Sequence, residues 1–386
     1  MSIPAPQLTR ARGSARPWVV SRQRVRFFWL FALILGAAFS APVVSLGAIV
    51  AMSLIGLVMR LGGLRSHPYV GTTDVLVFVS VIYMATVAVL SWDGRASNII
   101  FLAEAKLPLL LLAALAMRLV SRSVALSPDI GLVSNAVLIV NFAFLVIAKG
   151  QFRYIDQVPS GGVISIYMSV IFAIVFLLDR NLIRRGLILG FMVWLGSSTG
   201  LAALVAGVVV QRSFSRGRFS TLYALLALVL LVVFSVLLYR YTLDFRGRNI
   251  LDLASIDRFQ LSSAGVRYIM DTVDLRRFLF GYGTGSELDG ILESFSTDAS
   301  VLPWLVRARA IDGFTGLVFH NDFLRVFVNF GMVGSVLVWG TLFRFLRAPE
   351  LRAMVIVASM LNSTIYINSI FLFVLLAQIM PSDRKQ

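Results

Sequence analysis

The chain has 386 residues, of which 58% are hydrophobic and 14% charged, with a mean hydropathy of +0.87. That is too apolar for a soluble globular domain and places the chain in a bilayer, where only helical bundles and closed β-barrels satisfy every backbone group. The repeated long apolar runs lack strand-like alternation, so the expected fold is all-α, a polytopic transmembrane bundle. The net charge of +16 is spread between those runs, which argues against a nucleic-acid surface. There is no cysteine, which excludes disulfides and thiolate metal sites.

Residues 1–26 are polar and rich in arginine, and read as a disordered cytoplasmic tail. The run from Phe27 to Ser40 has a small-residue end, Ala38-Phe39-Ser40, that mimics a signal-peptide cleavage site. The apolar run 42–59 follows at once, and a hairpin of two spans is the better reading. Further runs lie at about 74–91, 99–117, 130–148, 163–178, 186–196, 198–211, 220–238, 323–343, 353–363 and 366–380, which makes about 12 spans. In 186–211 and 353–380 a single tilted or broken helix competes with two short spans.

Arginine clusters set the orientation. With the tail inside, alternation also places Arg60, Arg118, Arg184, Arg185, Arg212, Arg216 and Arg347 inside, and both termini are cytoplasmic. The expected organisation is a tail at 1–26, a bundle of about nine spans at 27–238, an extracytoplasmic loop at 239–322, further spans at 323–380 and a tail at 381–386.

The loop holds 11 of the 19 carboxylates and His320, one of two histidines. It interleaves aromatic and charged residues, as in Arg258-Phe259-Gln260 and Arg267-Tyr268-Ile269, so it reads as a folded lid with short amphipathic helices near 262–278 and 284–296. His320 stands where the loop re-enters the membrane. Imidazole exchanges a proton near neutral pH, although a lone histidine is more often a surface hydrogen-bonding residue. Arg258, Arg267, Arg276 and Arg277 precede the turn Gly281-Tyr282-Gly283-Thr284-Gly285. Forked guanidinium donors match phosphate oxygens, and headgroup anchoring is the competing explanation. Glu104 and Lys106 are ionisable groups inside a span, about 200° apart around the helix, and either bear on function or snorkel to the membrane edge. No histidine cluster fits zinc, and no Walker-type sequence supports ATP chemistry.

The segment Ser197-Ser198-Thr199-Gly200-Leu201, the loop stretch from Arg267 to Asp271, the glycine turn, and His320-Asn321-Asp322-Phe323-Leu324 leading to Gly331-Met332-Val333-Gly334 together resemble the O-antigen polymerase and ligase superfamily. The resemblance covers roughly 190–345. It implies a multi-pass glycosyltransferase of the bacterial inner membrane, using undecaprenyl-diphosphate-linked oligosaccharide without metal or other cofactor. Its implied product is an exopolysaccharide, capsule or O-antigen. Implied partners are the lipid-linked donor, membrane lipids and a chain-length regulator or flippase, with no nucleic acid. His320 matches the family histidine and Arg267 the loop arginine, both expected to be catalytic. Arg258, Arg276, Arg277, Asn321 and Gly283 form the expected substrate-binding set. Many members carry S-R-[GT] at the start of the mid-chain span, whereas this chain has Ser198 in place of that arginine.

Overall fold

The computed structural model describes residues 71–91, 106–112, 133–139, 161–194, 198–215, 257–284, 321–346 and 348–361, with the single positions Leu115, Gly131, Phe142 and Tyr366. Among these residues the fold is helical throughout, with no strand. The principal helices are α1 (Thr72–Ser91), α2 (Gly161–Leu178), α3 (Leu182–Trp194), α4 (Ser198–Ser215), α5 (Asp257–Thr272), α6 (Leu275–Phe280), α7 (Asp322–Phe345) and α8 (Pro349–Leu361). Two of them, α1 and α7, are by length and composition apolar enough to cross a membrane, α7 only when the segments on either side of Gly331 are counted together.

Local chemistry explains the boundaries. The Asp74 carboxylate accepts the Gly71 N–H at 3.0 Å, so an acid in the first turn of α1 closes its own helix end. Between α2 and α3 the chain reverses in three residues. Asn181 Oδ1 accepts from the N–H groups of Ile183 and Arg184 at 3.0 and 3.1 Å and caps α3. Arg185 donates to the Phe176 and Leu177 carbonyls at 3.0 and 3.4 Å, which satisfies the end of α2. Pro349 opens α8, where its missing N–H costs nothing.

The stretch expected as two short spans or one tilted helix over 186–211 is two helices, α3 and α4. The first ends at Trp194 and the second starts at Ser198, and residues 195–197 lie outside the described residues. Helix α4 packs against α2 and α8, and α2 also packs against α3. The glycines of α4 allow the close approach: a Cβ at Gly207 would lie 2.6 Å from Met354 Cγ of α8. The core gathers fully buried Phe172, Ile174, Ile188, Met192 and Ala203 with Met354 and Ala358.

The other half of the molecule is built around α7, which is not a straight rod. Gly331 takes φ 65°, ψ −166°, outside helical space. Phe323 and Trp339 stack with ring centroids 3.9 Å apart. Across uninterrupted helix their Cα atoms would be separated by about 24 Å. The segments before and after Gly331 are therefore two arms folded toward each other. The later arm lies along α1, tied by Ser80 Oγ to Thr341 Oγ1 at 2.9 Å and to the Leu337 carbonyl at 3.3 Å. Arg344 donates to Thr72 Oγ1 at 3.1 Å, so α1 and this arm run antiparallel.

Candidate functional site

The loop helix expected near 262–278 is two helices, α5 and α6, separated at Val273 and Asp274. The reason is a local competition: the Asp274 carboxylate accepts the Arg277 N–H at 2.6 Å and caps α6, and α5 ends two residues earlier, at Thr272. The Arg277 guanidinium reaches back to the Thr272 carbonyl at 2.8 Å and lies over the Tyr282 ring at 5.3 Å. Thr272 Oγ1 pairs with Tyr282 Oη at 2.7 Å, and the Tyr268 ring sits 5.9 Å from that of Tyr282. Burial, offset in part by the Thr272 hydroxyl and the Arg277 charge, pushes the Tyr282 phenol above its ordinary value. Tyr282 thus stays neutral and hinges the two loop helices.

This unit is docked on the break in α7. The Tyr282 N–H donates to the Val328 carbonyl at 2.7 Å, and Tyr83 Oη of α1 donates to the Phe330 carbonyl at 2.8 Å. Both carbonyls lose helical partners at the break, and these two donors replace them. Gly281 (φ 83°) and Gly331 (φ 65°) cross backbone to backbone: a Cβ on Gly281 would stand 2.6 Å from Gly331 N. Phe278 meets Phe327 edge-on at 5.9 Å. The turn then climbs to α1, where the Thr284 N–H donates to Ser91 Oγ at 3.0 Å.

Against this frame the expected site residues sort as follows. Asn321 caps α7, its Oδ1 accepting from the Phe323 and Leu324 N–H groups at 2.9 and 3.2 Å. Gly283 (φ 96°) is buried in the turn, and a Cβ there would strike Ser91, so its role is close packing on α1. Arg267 and Arg276 are exposed on α5 and α6, as is Arg277, which makes the contacts already described. Arg258 lies in α5, and its side chain is outside the described residues, as is His320 altogether. Glu104 is likewise outside them, whereas Lys106 is half-buried at the start of the described stretch 106–112. Ser198 begins α4, and Thr199 beside it is buried.

No protein-family model matches the chain, and no curated protein matches it. What the site can do must therefore be read from its own groups.

The first arm of α7 carries polar side chains that composition did not single out. Asp322, Arg325 and Asn329 are 0%, 5% and 6% exposed. Three- and four-residue spacing puts them on one helix face. Tyr366, fully buried, closes that face: its ring lies 3.8 Å below the Arg325 guanidinium carbon, and its Oη accepts from Asn329 Nδ2 at 3.3 Å. The signal was available, because Arg325 is an ionisable residue inside an apolar run. Among the described residues no group of three or more histidine, aspartate or glutamate side chains is placed to hold a metal.

Proposed function

We propose that the chain is a multi-pass glycosyltransferase of the bacterial inner membrane that polymerises undecaprenyl-diphosphate-linked repeat units on the periplasmic side, producing an exopolysaccharide, capsule or O-antigen. The observation that carries this reading is the docking of the loop unit, α5 to the glycine turn, onto the helix that starts immediately after His320 and Asn321. Of the four segments of the resemblance, the Arg267 stretch, the glycine turn and the residues from Asn321 onward pack together, which supports this reading; His320 itself lies outside the described residues. The exposed apolar side chains on α1 (Phe78, Ile82, Leu90) and α3 (Leu182, Ile183, Leu187) support contact with lipid.

In this mechanism His320 assists removal of the acceptor hydroxyl proton as that oxygen attacks the anomeric carbon. Arg267, Arg276 and Arg277 face the negative charge that gathers on the departing diphosphate. Feeding purified lipid-linked repeat units to the reconstituted protein tests the reading: chain growth without another acceptor marks a polymerase, and strict dependence on a second acceptor marks a ligase. His320→Ala is expected to insert normally, lose polymer and accumulate the lipid-linked unit. Polymer of normal length in His320→Ala cells contradicts the mechanism.

A second reading is favoured by one feature. A broken helix with an ionisable face buried beside the break is the device by which many transporters build substrate paths. A lipid-linked glycan transporter predicts that His320→Ala leaves substrate movement intact, measurable as externally accessible glycan in proteoliposomes.

A further inference from the structure

We propose that α5 and α6 are an interfacial element seated in the anionic lipid leaflet at the Ser91 end of α1. In that seat Val266, Met270, Leu275 and Phe280 lie among the acyl chains, and Arg267 and Arg276 lie at the headgroup phosphates. The proposal rests on the reading of α1 as a membrane helix and not on the glycosyltransferase chemistry.

The sides of α5 are sorted by polarity. Gly265 and Ile269 are buried against the rest of the protein, with Tyr268 and Thr272 half-buried on the same side. Around the exposed remainder, Val266 and Met270 lie about 40° apart, and Arg267 and Asp271 form a second pair about 100° further on. An apolar flank beside a charged flank, both exposed, is the pattern of a helix lying along a membrane surface. The exposures are large: Met270 and Leu275 are each 75% exposed, and Val266 and Phe280 each 47%. Single exposed apolar side chains are ordinary on a wet surface, whereas several on two adjoining short helices ask for a partner.

Depth identifies that partner as lipid. Helix α1 has 20 residues, about 30 Å of helix, which matches the hydrocarbon layer, so Ser91 marks one boundary of that layer. The Tyr83 hydroxyl reaches the Phe330 carbonyl beside the Gly281–Gly331 crossing, and Ser91 Oγ receives the Thr284 N–H just beyond it. Tyr83 and Ser91 are about 12 Å apart along the helix. The crossing, and α6 ending at it, therefore lie within about 12 Å inside the Ser91 boundary. Apolar side chains left uncovered at that level meet acyl chains rather than water. Arg267 and Arg276 are exposed on the same unit, and their long side chains reach from such a position to the headgroups. With Arg277 they outnumber the exposed acids Asp271 and Asp274, which favours an anionic leaflet over a zwitterionic one. A lipid-borne diphosphate lies at the same height, so a donor reaches these arginines by moving within the leaflet.

Because the chain has no cysteine of its own, depth is read with one bimane label at a time, on Met270→Cys, Leu275→Cys or Asp271→Cys. The full-length chain is reconstituted into mixed phosphatidylcholine and phosphatidylglycerol vesicles, and Phe78→Cys, on the exposed face of α1, reports the placement of that helix. Nitroxide on lipid acyl chains is expected to quench the Met270 and Leu275 labels several-fold more strongly than aqueous iodide does, with the reverse for the Asp271 label. Nitroxide-bearing phosphatidylglycerol should quench the first two labels more than nitroxide-bearing phosphatidylcholine at equal mole fraction. That excess should vanish when Arg267→Gln and Arg276→Gln are combined. Only variants with the wild-type melting temperature are compared, and the two lipid-facing sites are read separately, so one that fails to fold leaves the other. If iodide reaches the Met270 and Leu275 labels as readily as the Asp271 label while the Phe78 label stays shielded, the unit stands in water and the proposal alone fails. If iodide reaches the Phe78 label too, the membrane reading fails with it. Equal quenching by the two nitroxide lipids, or an excess that survives without the two arginines, also overturns the proposal.

Discussion

Asp179 shows how much one side chain contributes between α2 and α3. Its carboxylate is fully buried and takes two hydrogen bonds from Arg184, Nε to Oδ2 at 2.6 Å and Nη2 to Oδ1 at 3.0 Å, plus the Asn181 N–H at 2.9 Å. Burial by itself raises its pKa. The bonds from Arg184 and Asn181, with the Arg184 charge, outweigh that and hold it below the ordinary value of 3.8. A depressed carboxylate stabilises the fold above its unfolded pKa, and that contribution is lost as pH falls through the folded value. Asp179→Asn is therefore expected to cost about 3 kcal/mol at neutral pH, because Arg184 loses its partner. The difference in melting temperature between variant and wild type should shrink below pH 4, and a constant difference across that range would show that the carboxylate charge is not what stabilises the turn.

At the scale of elements, the arms of α7 depend on the crossing of two glycines. Alanine at Gly331 meets both the strain of a positive φ and the backbone of Gly281 and Leu279, with no flexible side chain to yield. Gly331→Ala is expected to destabilise by about 2 kcal/mol or more and to release the loop unit. Gly340, further along the same helix, is the control. A Cβ there meets nothing within 4 Å, so Gly340→Ala should be neutral or gain up to about 1 kcal/mol from helix propensity. Thermal unfolding in detergent compares the two, and equal losses would show that the glycine crossing has no special role. Removing one hydroxyl from the same joint, in Tyr83→Phe, takes the Tyr83 donor from the Phe330 carbonyl and should cost about 1–2 kcal/mol. Limited proteolysis is the second measure for Tyr83→Phe, with faster cleavage between α6 and α7 expected.

For the whole molecule, the absence of cysteine makes topology directly measurable. A single cysteine at Asp271, exposed on α5, should react with a membrane-impermeant maleimide from the periplasmic side of intact spheroplasts. One at Arg212, near the end of α4, should react only after permeabilisation. The opposite pattern inverts the orientation read from the arginine clusters, and with it the compartment of the reaction.

Much of the helical framework was legible in the sequence, because the apolar runs at 74–91 and 163–178 carry their own ends: an acid in the first turn of α1, and the Asp179-Asn181 turn after α2. The split of the loop helix was less legible, since Asp274 is a tolerable helix residue until its carboxylate finds the Arg277 N–H. The expected span at 323–343 covers most of α7 but reads as unbroken, and a glycine inside an apolar run is compatible with both a straight helix and a sharp one. Gly281 crossing at that point, with donors from Tyr282 and Tyr83 for the freed carbonyls, decided between them. The burial of Arg325 is of the same kind, because it depends on the Tyr366 ring, 41 positions away in the chain. Apolar content and local capping thus determined by themselves that the described chain is helical and roughly where its helices end, because those forces act within a turn or two. Where α7 breaks, and which arginine is enclosed, only the tertiary structure decided, because each depends on a partner contributed by another element.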